Sequence, residues 1–90
     1  MAIGVLFDGA GTTQAQYEQV RKEVLPDSKL PKGMLYHAAG PSENGWRVME
    51  VWESREDVDH FFQQTLGAAL QRANINVHPT FSEVTTILKP

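Results

Sequence analysis

Three residues could move or hold a proton: His37, Glu50 and Tyr17. His37 lies within the apolar run Met34-Leu35-Tyr36-His37-Ala38-Ala39. Imidazole titrates near neutral pH, so a histidine there is either a hydrogen-bonded core residue or a pocket acid/base. Glu50 stands between Met49 and Val51. A carboxylate in such a run must be paired or protonated, because burying it bare is too costly. It is either an ion pair at an edge or seam, or the group that orients His37. Tyr17 shares a helical stripe with Val20 and Val24. Its hydroxyl needs a partner when buried, whether the ring merely fills the core or donates a hydrogen bond in a pocket.

Other residues offer less. His60 falls on the polar side of a helix, and His78 precedes Pro79 in a connection. Three scattered histidines and no cysteine predict no metal site, no disulfide and no thiol nucleophile. Gly9-Ala10-Gly11-Thr12-Thr13 occupies the place of a phosphate-binding loop, but Gln14 stands where the third glycine belongs, so it reads as a plain strand-to-helix turn. Ser28, Ser42, Ser54 and Ser82 form no recognisable nucleophile elbow.

The elements that must position these residues follow from periodicity. Thr13 and Gln16 form a capping box for a first helix that ends before Pro26. Ser54-Arg55-Glu56-Asp57 caps a second, in which Val58, Phe61, Phe62, Thr65, Leu66, Ala69 and Leu70 recur at helical steps and Asn74 or Asn76–Pro79 marks the end. Strands are expected at Ala2–Phe7, Met34–Ala39, Trp46–Glu53 and Thr80–Leu88, with Pro41–Gly45 as a hairpin loop whose Asn-Gly tolerates positive φ. The order β-α-β-β-α-β is the ferredoxin-like, α+β arrangement: a four-stranded antiparallel sheet with both helices on one face.

The hairpin register decides the site. One register faces His37 with Val48 and, diagonally, Glu50; a one-residue slip replaces His37 with Tyr36. The strands are also apolar on both faces. Ile3, Val5 and Phe7 oppose Ala2 and Leu6, Val48 and Trp52 oppose Met49 and Val51, and Leu35 and Ala39 oppose Met34, Tyr36 and Ala38. Two helices cover one face only, so a second copy of the chain is expected on the other, sheet against sheet.

A chain of 90 residues predicts one domain, residues 1–90, with a small core that a second chain would complete. Its net charge of −3 argues against a nucleic-acid partner. The absence of a long apolar run argues against a membrane span or signal segment, leaving a cytoplasmic location as the expectation.

His37-Ala38-Ala39-Gly40-Pro41, Gly45-Trp46-Arg47-Val48 and Glu50-Val51-Trp52-Glu53-Ser54, leading to Phe61-Phe62, resemble the dimeric α/β-barrel superfamily, most closely the small proteins of antibiotic-biosynthesis-monooxygenase type. The resemblance spans Ala2 to Leu88. It implies a barrel built from two chains and a pocket between sheet and helices, with activities ranging from cofactor-independent oxygenation of aromatic polyketides to haem degradation and polyketide cyclisation. Haem-degrading members carry an Asn on the first strand and a histidine late in the second helix; this chain has neither, so no haem or other cofactor is expected. A His/Tyr pair does acid/base work in cyclase-like members, parts that His37 and Tyr17 could take. Two functions follow as expectations: an enzyme acting on an aromatic or polyketide-like molecule through His37, Tyr17 and Glu50, or a non-catalytic dimeric module that binds a small apolar ligand.

Overall fold

The structure, a computed structural model, describes residues 2–88. Strand β1 (Ala2–Ala10) leads through Gly11 into helix α1 (Gln14–Val24), and a 3-10 turn, Pro26–Ser28, follows. Strands β2 (Met34–Ser42) and β3 (Gly45–Trp52) form the hairpin. Helix α2 (Arg55–Phe61) continues through a π-helical turn, Phe62–Leu66, into α3 (Gly67–Arg72), and β4 (Thr80–Val84) ends the sheet. All pairings are antiparallel and the strand order is β2-β3-β1-β4, the ferredoxin-like α+β arrangement.

The helix starts follow their capping chemistry. Thr13 Oγ1 accepts the Gln16 amide while Gln16 Oε1 accepts the Thr13 amide, satisfying two of the amide donors left free where α1 begins. Ser54 Oγ does the same for the Asp57 amide of α2. Asn74, at φ 58°, turns the chain off the end of α3.

The core lies between the helices and one sheet face. Val5 and Phe7 from β1, Met34 from β2 and Trp52 from β3 meet Val20, Val58, Leu66 and Ala69 from the helices. Trp52 has no exposed surface at all. The opposite face carries Leu6, Tyr36, Met49 and Val51, of which Tyr36 and Met49 are exposed.

Four expectations are corrected. β1 runs through Gly9 and Ala10, and β2 through Pro41 and Ser42, so the hairpin turns on Glu43 and Asn44 alone. Positive φ falls at Gly11 instead of at Asn44 or Gly45, and the Gly11 amide donates to the Asn44 carbonyl, tying the hairpin tip to the end of β1. β4 stops at Val84, because the β1 ladder it pairs with begins at Ala2. An irregularity between Met34 and Tyr36 also breaks the alternation of β2. Leu35 is the extra residue of this bulge, so Met34 turns into the core and Leu35 outward, the reverse of strict period-two reading.

Candidate active site

β3 presents Trp46, Val48, Glu50 and Trp52 to the helices, because successive strand side chains alternate faces. The hairpin register sets His37 directly opposite Glu50 and Ala39 opposite Val48. This lies two residues from the expected facing of His37 and Val48, a shift that preserves the face and brings the carboxylate closer. α1 crosses the same region and lowers Tyr17 onto His37.

The result is a hydrogen-bonded row. Tyr17 Oη lies 2.7 Å from His37 Nε2, His37 Nδ1 lies 2.9 Å from Glu50 Oε2, and the Trp52 indole donates to Glu50 Oε1 at 2.9 Å. Glu50 is 7% exposed, and the two N–H donors compensate its lost hydration. An ionised carboxylate only accepts, which assigns the proton of that contact to His37 Nδ1; in that tautomer Nε2 is an acceptor. The Tyr17 hydroxyl then donates to Nε2. Burial pushes the Tyr17 hydroxyl above the ordinary tyrosine range, with the Glu18 charge adding to it, so the phenol stays protonated at neutral pH.

Tyr17, His37 and Glu50 of this row border a cavity of about 70 Å³, taken as the space open to the centre of a water molecule. That space takes several waters or a small ring system. Its polar groups are Tyr17, His37, Glu50, Trp46, Thr12 and Arg21, and the rest of its wall is mostly aliphatic and aromatic. Arg21 is held by Glu18 at 2.9 Å. A larger cavity, about 250 Å³, shares Phe7, Glu50, Phe61 and Leu66 with the first but touches neither His37 nor Tyr17. The smaller one is therefore the cavity that both His37 and Tyr17 line.

The wider π turn brings Phe61 and Leu66, five residues apart, to the same cavity wall. His60 and His78 are exposed and contribute nothing to the cavity. Among the described residues no three of His, Cys, Asp and Glu gather as a metal-binding group. Among the described residues no helix is long and apolar enough to cross a membrane.

Trp46, Trp52, Arg21 and Thr12 are not among the site residues expected from the sequence. The role of Trp52 was within reach: two residues from Glu50 on one strand, its side chain must share the carboxylate's face.

No protein-family model matches the sequence, and no curated protein matches it. Solved structures do match in fold. Over 99% of this chain and 97% of its own, SnoaB from Streptomyces nogalater, a cofactor-independent oxygenase, superposes with a TM-score of 0.65 at 14% identity. A Deinococcus radiodurans protein provisionally assigned as an antibiotic-biosynthesis monooxygenase gives 0.64 at 13% identity, covering 100% and 98% of the two chains. A Pseudomonas aeruginosa protein gives 0.67 at 14% identity over 94% of each. The chain thus has the ferredoxin-like fold of antibiotic-biosynthesis-monooxygenase-type proteins, as the sequence resemblance implied. At such identities the likeness speaks for fold alone.

Proposed function

We propose that this protein is a small enzyme that removes a proton from an aromatic, hydroxylated or enolisable substrate, in the manner of a cofactor-independent monooxygenase or a cyclase. The observation that carries the reading is the row Tyr17–His37–Glu50–Trp52 at one end of an apolar cavity. Glu50 holds the imidazole in the tautomer whose Nε2 accepts from Tyr17 and stabilises the imidazolium that forms. Tyr17 passes its hydroxyl proton to Nε2 as it takes up the substrate's, and the electron pair stays on the substrate ring system. The likeness to an oxygenase favours dioxygen as the partner of the resulting anion; ring closure is the cyclase alternative. The cavity volume favours one or two rings, or one end of a longer polyketide.

The test is hydrogen–deuterium exchange at the enolisable carbon of 1-tetralone, followed by NMR, with dioxygen uptake measured on hydroxynaphthalenes. Wild type should accelerate exchange, and His37→Ala should lose roughly 10²–10⁴ of it. Dioxygen uptake separates oxygenase from cyclase. Binding without exchange or uptake would refute the catalytic reading and leave a non-catalytic ligand-binding module, which the apolar cavity alone would support.

We further propose that two chains associate through the uncovered sheet face. Leu6, Met49 and Ala38 lie side by side there, as do Gly4, Val51 and Tyr36, and Met49 is 51% exposed. An apolar surface of that kind on a small domain favours a partner.

A further inference from the structure

The Trp46 indole has a polar atom that nothing in the fold uses. Its Nε1–H is shielded from solvent and has no acceptor among the described residues. Buried donors are nearly always paired, and one left bare forfeits its hydration for no return. Tyr17, His37, Glu50 and Trp52 all have partners, so this donor is the exception among the polar groups around Glu50. Trp46 also forms part of the cavity wall. Its ring lies 5.4 Å from that of Tyr17 at 34°, and Tyr17 stacks on His37 at 6.0 Å and 17°. Tyr17 therefore stands between an acceptor, His37 Nε2, and an unused donor, Trp46 Nε1. Trp46 lies four residues before Glu50 on β3, roughly 13 Å along the strand, on the far side of Val48 from the carboxylate.

We infer that Trp46 is a specificity-determining residue that donates a hydrogen bond to a carbonyl oxygen of the bound ligand, a different atom from the one whose proton Tyr17 takes up and relays to His37. The ligand class is a conjugated hydroxy-carbonyl aromatic of one or two rings. Deprotonation at the hydroxyl leaves the electron pair on the ligand, where conjugation spreads it to the carbonyl oxygen. A fixed N–H in a mostly apolar cavity stabilises that developing charge more than it stabilises the neutral ligand. This inference rests on the cavity being the ligand site, and extends the proposed function by naming the carbonyl group that the ligand must carry.

The probes are 6-hydroxy-1-tetralone, with hydroxyl and carbonyl across one ring, and 5,6,7,8-tetrahydro-2-naphthol, which lacks only the carbonyl. Binding is measured by titration calorimetry for wild type and Trp46→Phe, and the two indole N–H resonances of wild type are followed by ¹⁵N NMR. Wild type should bind the ketone about tenfold more tightly than the naphthol, and Trp46→Phe should abolish that preference while leaving naphthol affinity unchanged. In wild type the Trp46 indole proton should move downfield with the ketone and not with the naphthol; this readout needs no variant, so it decides the matter even if Trp46→Phe fails to fold. A preference that survives in Trp46→Phe, or an indole resonance indifferent to the carbonyl, overturns this inference and leaves the His37 reading intact. Failure of both probes to bind wild type overturns it together with the choice of cavity.

Discussion

His37 and Glu50 face each other across the β2–β3 ladder, with Nδ1 of one 2.9 Å from Oε2 of the other. The second oxygen of the same carboxylate accepts from Trp52, the most deeply buried side chain of the core. One carboxylate thus fixes both the tautomer of the candidate base and the position of the principal core aromatic.

Glu50→Gln separates these duties. A side-chain amide has one acceptor and one donor group, so it cannot accept from both His37 and Trp52. Either the Trp52 N–H loses its partner or His37 shifts its proton to Nε2 and ceases to be a base there. Stability should fall by about 1–3 kcal/mol in urea unfolding, the cost of an unpaired buried polar group. Exchange on 1-tetralone should fall with it. A variant of unchanged stability and activity would show that the carboxylate orients nothing.

Tyr17 makes stability depend on alkaline pH. Its hydroxyl titrates above the ordinary value in the folded protein because it is buried. Below about pH 10 both folded and unfolded chains hold that proton. Between the ordinary value and the raised one, only the unfolded chain releases it, so unfolding is favoured as pH rises. Tyr17→Phe should flatten the loss of stability above about pH 10. Denaturation midpoints followed through this range in both proteins provide the check, and identical slopes would count against a buried Tyr17 hydroxyl.

Gly45 opens β3 where the hairpin meets the end of β1. A methyl group there would strike the Gly9 carbonyl oxygen and come within 2.9 Å of the Gly11 amide nitrogen, backbone atoms that cannot swing aside. Gly45→Ala should destabilise the fold by about 1–3 kcal/mol, as overpacking does. Gly40→Ala, with nothing within 4 Å of the added atom, should have little effect and serves as the control. Thermal unfolding of the two variants side by side makes the comparison.

Met49 probes the association of chains. It projects from the sheet face away from the helices, opposite Leu6 and Ala38. Met49→Lys places a charge on that face and should convert a dimer to single chains in light scattering, with the Tyr17–His37 cavity unaffected. A wild-type protein that already scatters as a single chain at micromolar concentration would remove the proposal.

Much of this architecture is legible in local chemistry. The capping box at Thr13, the Ser54 cap, the stripe Tyr17–Val20–Val24 and the β-branched strands each require only neighbours in the chain. The bulge at Leu35 was not legible, since Met34 and Leu35 are equally apolar and nothing local says which should turn inward. Nor was the π turn at Phe62–Leu66, where Phe61, Leu66 and Leu70 fit an ordinary helical stripe almost as well.

The sequence by itself determined the inventory: a histidine, a carboxylate and a tyrosine on apolar elements, the β-α-β-β-α-β order, and a sheet apolar on both faces. Only the tertiary structure decided that they meet. Strand alternation puts His37 and Glu50 on definite faces, but a shift of two residues along the hairpin keeps those faces and moves the partner by a full repeat. The short turn at Glu43–Asn44, tied down by the Gly11 amide, selects the register that sets them directly opposite. Packing of α1 on the sheet then brings Tyr17 to Nε2 and leaves the Trp46 N–H without an acceptor among the described residues, relationships that depend on contacts between elements far apart in the chain.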